Sequence, residues 1–272
     1  VGFCGGIEGL LPVTRSRNLI RERLAAVCQQ VVDSQADVVG IQEVDRVAFR
    51  SRWVNQYRTL RSLYPYGEWA TTWCHPWVPY PFTWDVRCHV GTIWAGQLVL
   101  SRWPLRSCRI VSLGKRQDVG RVWRSFELNR VAQVMTLEHP DGPCHLIHTH
   151  LEAFHAPTRQ AQMQHLLDQV VSRCGDEPVV LWGDWNAVPY THAGPLVYPD
   201  EPSVNLGDDD TVDRVRQAGF HVPTPPFDFP APQPTRSLSY VAVRGGRVSP
   251  MEALPDTGAS DHRGVWATIE RG

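Results

Sequence analysis

An α/β layered domain is the fold class this sequence predicts, on three observations. Short apolar runs bounded by turn residues recur between Val38 and Ile269, and such runs read as buried strands. Two longer segments, Arg15–Gln35 and Pro157–Cys174, place their apolar residues on one face, as amphipathic helices do. Interleaved strands and helices pack in layers. A chain of 272 residues, 42% of them hydrophobic, can bury one sizeable core.

In chain order, the first helix aligns Ile20, Leu24, Val27, Cys28, Val31 and Val32, and strand Val38–Gln42 follows it directly. The stretch 53–123 holds eight of the eleven tryptophans, concentrated around Trp69, Trp73, Trp77 and Trp84. Its part His75–Trp84 is too broken by proline for regular structure. It reads either as a loop packed down by its own aromatics or as an aromatic wall facing a ligand's base, sugar or lipid group. Strands are expected at Gln97–Ser101, Val131–Leu137, Cys144–Thr149 and Val179–Trp182. Between the last two, Pro157 suits a first helical turn, and Met163, Leu166, Leu167, Val170 and Val171 share a face before Gly175. Thr211 caps a short helix to Gly219, Pro223–Pro234 is a loop, and strands Tyr240–Val243 and Val265–Ile269 close the chain.

The net charge of −1 neither demands nor excludes nucleic acid. Arg102, Arg106, Arg109, Lys115, Arg116, Arg121, Arg124 and Arg130 stand against only Asp118 and Glu127, as a solvated face or a guide for a phosphorylated substrate. Lys115 is the only lysine. No apolar run reaches the roughly 18 residues that suggest a membrane span. Seven dispersed cysteines without Cys-x-x-Cys spacing argue against a disulfide framework and for a reducing, cytoplasmic setting. A leader would not be legible in a chain that opens at Val1.

Polar clusters sit at the ends of several apolar runs. Val179–Trp182 leads through Gly183 to Asp184 and Asn186, and side chains two apart on an extended chain point the same way. Glu43 ends the run from Val38, His150 ends the run from Cys144, and Ser260-Asp261-His262 precedes Val265. Ionisable groups beside apolar strands cost several kcal/mol unless they are paired or bind a metal. Asp184 and Asn186 taken alone read as a solvated turn, and Glu43 and Asp261 as strand ends facing water. His150 alone is a satisfied core histidine, and His148, on the same face, is read as structural.

The ordered set Gln42-Glu43-Val44, Thr149-His150-Leu151, Gly183-Asp184-Trp185-Asn186 and Ser260-Asp261-His262 resembles the endonuclease/exonuclease/phosphatase superfamily, the deoxyribonuclease-I-like fold. The resemblance implies a four-layer sandwich, two packed mixed β-sheets flanked by helices, as a single domain over residues 1–272. It also implies a monomeric hydrolase of a phosphodiester or phosphomonoester, with nucleic acid among the candidate substrates. Glu43 and Asp261 would hold Mg²⁺, or Mn²⁺ in its place, since hard cations take carboxylate oxygens. Asp184 would activate the water, Asn186 would fix it or a phosphate oxygen, and His150 and His262 would bond the phosphoryl oxygens.

Two positions depart from the pattern. Gly6 stands where a metal-site asparagine is usual, and Ser239 where an aspartate usually orients the last histidine. They open a second reading, a repurposed member that binds or transforms a phosphorylated or aromatic small molecule without efficient hydrolysis. A third reading takes His148, His150, Glu152 and His155 as a zinc cluster, because period-2 spacing puts the first three on one face.

Overall fold

Two main sheets, each carrying helices on its outer face, dominate the computed structural model, which describes residues 16–80, 84–188 and 209–272. The first helix, α1 (Arg17–Asp33), starts where the Ser16 hydroxyl accepts the Leu19 N–H, a side-chain cap for an otherwise unpaired donor. It leads into β1 (Val38–Ala48). The short α2 (Gln56–Arg61), β2 (Tyr66–Val78) and β3 (Gly91–Ser101) complete a sheet of order β1-β3-β2, antiparallel throughout. Ile20, Leu24, Val44, Val54, Leu60, Leu98 and Leu100 bury the contact between these helices and that sheet.

The second sheet follows as β4 (Leu105–Ser112), then α3 (Arg121–Phe126), β5 (Val131–His139) and β6 (Gly142–His150). After α4 (Ala156–Gln169) come β7 (Val179–Asp184), α5 (Thr211–Gln217) and β8 (Ser239–Arg244). Its order is β4-β5-β6-β7-β8, and β6 pairs with β7 in parallel, so this sheet is the mixed one. A parallel pair needs a crossover, and α4 supplies it. Met163, Leu166 and Leu167 of α4 pack on Ile147, Val179 and Leu181. Val99 meets Met135, Leu146 and Val180 between the sheets, so the layers run helix, sheet, sheet, helix as expected. Each of these buried aliphatic chains contributes roughly 1.5–3 kcal/mol.

The structure departs from the sequence reading at the edges. β2 is a 13-residue strand through His75 and Pro76, where a proline-broken loop is expected. Proline fits because β2 is an edge strand whose register shifts between His75 and Val78, so no ladder bond is lost there. β4, read as part of a basic run, is an exposed edge strand whose charges and bulge at Ser107 (φ 51°) guard its open side. The expected strand Val265–Ile269 divides into β11 (Val265–Trp266) and β12 (Ile269–Arg271). Their partners are β10 (Glu252–Ala253) and β9 (Gly246–Val248). Among the described residues no helix is long and apolar enough to cross a membrane. Gly6 and its neighbours lie outside the described residues.

Candidate active site

Glu43 owes its position to a bulge. The β1–β3 register slips between Ile41 and Val44, and Glu43 takes φ 53°, a left-handed conformation costly for any residue that carries a Cβ. Its carboxylate is 29% exposed, with Arg50 Nη1 3.7 Å away. Arg50 is itself fixed by Asp45, which is fully buried and accepts Arg50 Nε at 3.1 Å and Nη2 at 2.8 Å through one oxygen. The Asp45 N–H donates to Gln56 at 2.9 Å, so α2 holds the same segment.

A chain of amides and one imidazole ties this bulge to the second sheet. Gln42 Nε2 lies 2.8 Å from His148 Nε2, and His148 Nδ1 lies 3.0 Å from Gln133 Oε1. Gln133 then donates to the Glu68 carbonyl at 3.0 Å. The partners assign the tautomer: an amide N–H faces Nε2, so Nδ1 carries the proton. Burial pushes the His148 pKa down to about 3, which keeps the ring neutral. Gly40 is required beside it, because a Cβ there would strike the His148 ring and Trp182 Nε1.

Parallel pairing sets His150 directly opposite Asp184. His150 Nε2 stands 3.5 Å from Asp184 Oδ2, and the other carboxylate oxygen accepts the Asn186 N–H at 2.9 Å. Asn186 turns at φ 52° and donates its side-chain amide to the Leu151 carbonyl at 3.1 Å. Gly183 is needed in front of them: it has φ 137°, and a Cβ would overlap the Thr149 carbonyl. Burial raises Asp184 to about 6, helped by Asp228 and opposed chiefly by His262. Burial, then Arg130 and His262, hold His150 well below the usual imidazole range. Arg130, counted in the sequence only within a basic run, is thus a buried cation beside the site, 3.8 Å from Glu152.

His262 brings the residue that the motifs did not contain. Asp228, fully buried in the proline-rich loop, places Oδ2 3.3 Å from His262 Nδ1. The same oxygen accepts the Ser239 hydroxyl at 2.6 Å, and Oδ1 accepts the Leu238 N–H at 2.7 Å. The carboxylate missing at position 239 is therefore supplied from 11 residues upstream, with Ser239 as its ligand. Burial alone would lower His262, but the Asp228 hydrogen bond and the charges of Asp261, Asp184 and Asp228 outweigh it and raise the pKa to about 10. A Pro223–Pro234 segment carrying Asp-Phe-Pro offered no sequence signal beyond the lone Asp228.

Glu43, His150, Asp184, Ser239, Asp261 and His262 all line one cavity of about 1000 Å³. Asn186 is joined to it through Asp184. Trp69, Trp73, Trp77 and Trp84 are not among its lining residues, contrary to the aromatic-wall reading. Trp69 packs on Tyr57, Trp73 donates to the Phe126 carbonyl, Trp77 donates to His89, and Trp84 is exposed.

The zinc reading does not assemble. Both His148 nitrogens are engaged by glutamines, His155 Nδ1 caps α4 through Thr158, and Glu152 accepts the Phe154 N–H. Among the described residues no group of three or more His, Cys, Asp or Glu side chains is disposed to hold a metal ion. The carboxylate oxygens of Glu43 and Asp261 do suit a hard cation that keeps several of its waters.

Sequence comparison matches the Endonuclease/Exonuclease/phosphatase family over residues 10–262. No curated protein matches the chain. An endonuclease/exonuclease/phosphatase from Bacteroides vulgatus shares the fold at 15% identity and TM-score 0.64, over 94% of this chain and 93% of that one. A mannosyl-6-phosphatase of Bacteroides thetaiotaomicron aligns at 12% identity and TM-score 0.61, over 92% and 91%. The human Nocturnin catalytic domain, solved with bound sulfate, aligns at 18% identity and TM-score 0.60, over 91% and 87%.

Proposed function

Because the chain belongs to the endonuclease/exonuclease/phosphatase family, whose members hydrolyse phosphoesters, we propose that it is a divalent-metal-dependent phosphodiesterase or phosphatase. The observation that carries this reading is His262, backed by the buried Asp228, in the cavity that Asp184 and Glu43 also line. It removes one of the two grounds for a repurposed pocket, since Ser239 no longer marks a missing carboxylate. The family match from residue 10 to residue 262 supports one domain, which we read as a monomer.

Glu43 and Asp261 would hold Mg²⁺ or Mn²⁺, which supplies charge neutralisation at the nonbridging phosphate oxygens. Asp184 accepts the proton of the attacking water, and its orientation is held by the Asn186 N–H. With a pKa of about 6 it is ionised at neutral pH yet remains a competent base. His262, kept protonated by Asp228, donates toward the phosphoryl or leaving oxygen. His150, neutral, hydrogen-bonds the phosphoryl group without adding charge. Asn186 holds Asp184 through its backbone N–H and gives one side-chain N–H to the Leu151 carbonyl, and the second N–H of that amide would fix the water or a phosphate oxygen.

The test is turnover of bis(p-nitrophenyl) phosphate and p-nitrophenyl phosphate with Mg²⁺, with Mn²⁺ and in excess chelator. Asp184→Asn should lower turnover by about 10²- to 10⁴-fold, the usual worth of a general base. Full activity in chelator would overturn the mechanism.

A further inference from the structure

On the outer side of the first sheet, α1, α2 and the turn between β1 and α2 enclose a second concavity of about 630 Å³. Arg17, Arg21 and Arg58 line it, and no Asp or Glu does. All three arginines are exposed, and none makes an ion pair among the described residues. The floor is apolar, from Leu24 and Val54. Trp53 stands at its rim, 52% exposed although tryptophan is a residue a fold normally buries. Trp53 and Arg52 both take left-handed φ, 62° and 51°.

We propose that this groove binds single-stranded nucleic acid, with phosphates on Arg17, Arg21 and Arg58 and a base stacked on Trp53. The charge is focal, since the whole chain carries a net charge of −1. Guanidinium groups suit phosphate oxygens because their planar forks bond two at once. Arg17 and Arg21 are four apart on α1 and therefore neighbours on its surface, a step comparable with that between successive phosphates. A flat, sequence-tolerant aromatic beside a basic track is the pattern of a single-strand platform. A membrane surface fits less well, because the arginines line a concavity and one indole, not an apolar patch, is presented.

The groove is tied to the cleft by one short turn. Arg50, which stands 3.7 Å from Glu43, precedes Trp53 by three residues, about 10 Å of chain at most. Leu24 and Val54 share a core cluster with Val44, the residue after Glu43. A strand whose phosphodiester lies in the cleft would cross this rim into the groove; that crossing rests on the hydrolase reading, whereas the binding does not.

The experiment is fluorescence anisotropy of a labelled twelve-residue oligothymidylate titrated with the full chain in chelator, at several salt concentrations. Arg17→Ala/Arg21→Ala/Arg58→Ala should weaken binding about tenfold or more and reduce the salt slope by about 2. Trp53→Ala should weaken it about fivefold or more, and the triple Arg→Lys variant should retain most of the salt slope. Turnover of bis(p-nitrophenyl) phosphate, too small to reach the groove, should stay at the wild-type level in every variant. Unchanged affinity and salt slope in the triple alanine variant would overturn the proposal. Loss of binding to phosphatidylserine vesicles with unchanged oligonucleotide binding would overturn it in favour of a membrane site. If the wild type hydrolyses no phosphoester, the hydrolase reading falls while the anisotropy still decides the groove.

Discussion

Glu43 and His262 face the same cavity from walls built in opposite ways. On the Glu43 side, Asp45 and Arg50 are five residues apart, and the pair forms within β1 and the turn that follows it. On the His262 side, Asp228 and His262 are 34 residues apart, and both lie in irregular chain. Asp228 alone gathers that wall by accepting from Leu238 N–H, the Ser239 hydroxyl and His262. Backbone bonds from Ala231 to Asp261 and from Arg263 to Asp228 close it. A local pair depends on one turn, whereas a non-local one depends on a whole loop reaching its place. Damage on the first side should therefore appear as lost stability, and on the second as lost turnover.

The largest effect is expected from Asp228→Asn. Removing the carboxylate behind a catalytic histidine costs about 10²- to 10⁴-fold in turnover. It should also move the alkaline limb of the rate profile. Wild-type activity should rise as Asp184 ionises near pH 6 and fall as His262 deprotonates near pH 10. With asparagine at 228 that upper limb should shift toward acid, and an unmoved limb would remove Asp228 from the mechanism. Stability has the same sign: the folded pKa of His262 lies above its ordinary 6.5, so its contribution is complete below that pH and is lost as pH rises through about 10.

Next comes Asp45→Ala, which takes from the buried Arg50 the carboxylate that fixes it and should cost about 3–5 kcal/mol in urea denaturation. If activity per folded molecule falls more than stability does, the two walls are not separable in this way. His148→Leu sharpens the contrast, because it cuts the bridge between the sheets. It leaves the Gln42 and Gln133 amides without their partner and should cost about 1–3 kcal/mol. Through Gln42 it should raise the Mg²⁺ concentration for half-maximal rate, while the pH limbs stay fixed. The smallest change is Ser239→Ala, worth about 0.5–1.5 kcal/mol for one hydrogen bond. Ser239→Asp, by contrast, should lower turnover. Position 239 already contacts Asp228 at 2.6 Å, so a second carboxylate there adds repulsion without supplying a missing partner.

Strands with both ends marked were legible from residues. β5, β6 and β7 lie where apolar runs meet turn residues, and both long helices lie within two residues of their expected starts. β2 and β4 were not legible, because edge strands tolerate proline, charge and two exposed faces. The tryptophans left two readings open, a stretch packed down by its own aromatics and a ligand wall. Trp69, Trp73 and Trp77 spend their N–H groups on Thr71, Phe126 and His89.

The sequence by itself placed Glu43, His150, Asp184 and Asp261-His262 beside apolar runs and so marked them as candidates. Periodicity and turn residues act over a few positions, so such pairings of strand and motif are local facts. Only the tertiary structure decided how those groups are tuned. It set His150 against Asp184 by parallel register, made His148 a neutral link between sheets, and brought Asp228 under His262. Those outcomes depend on contacts between residues tens of positions apart, where burial and neighbouring charge fix protonation and neither is written in local spacing.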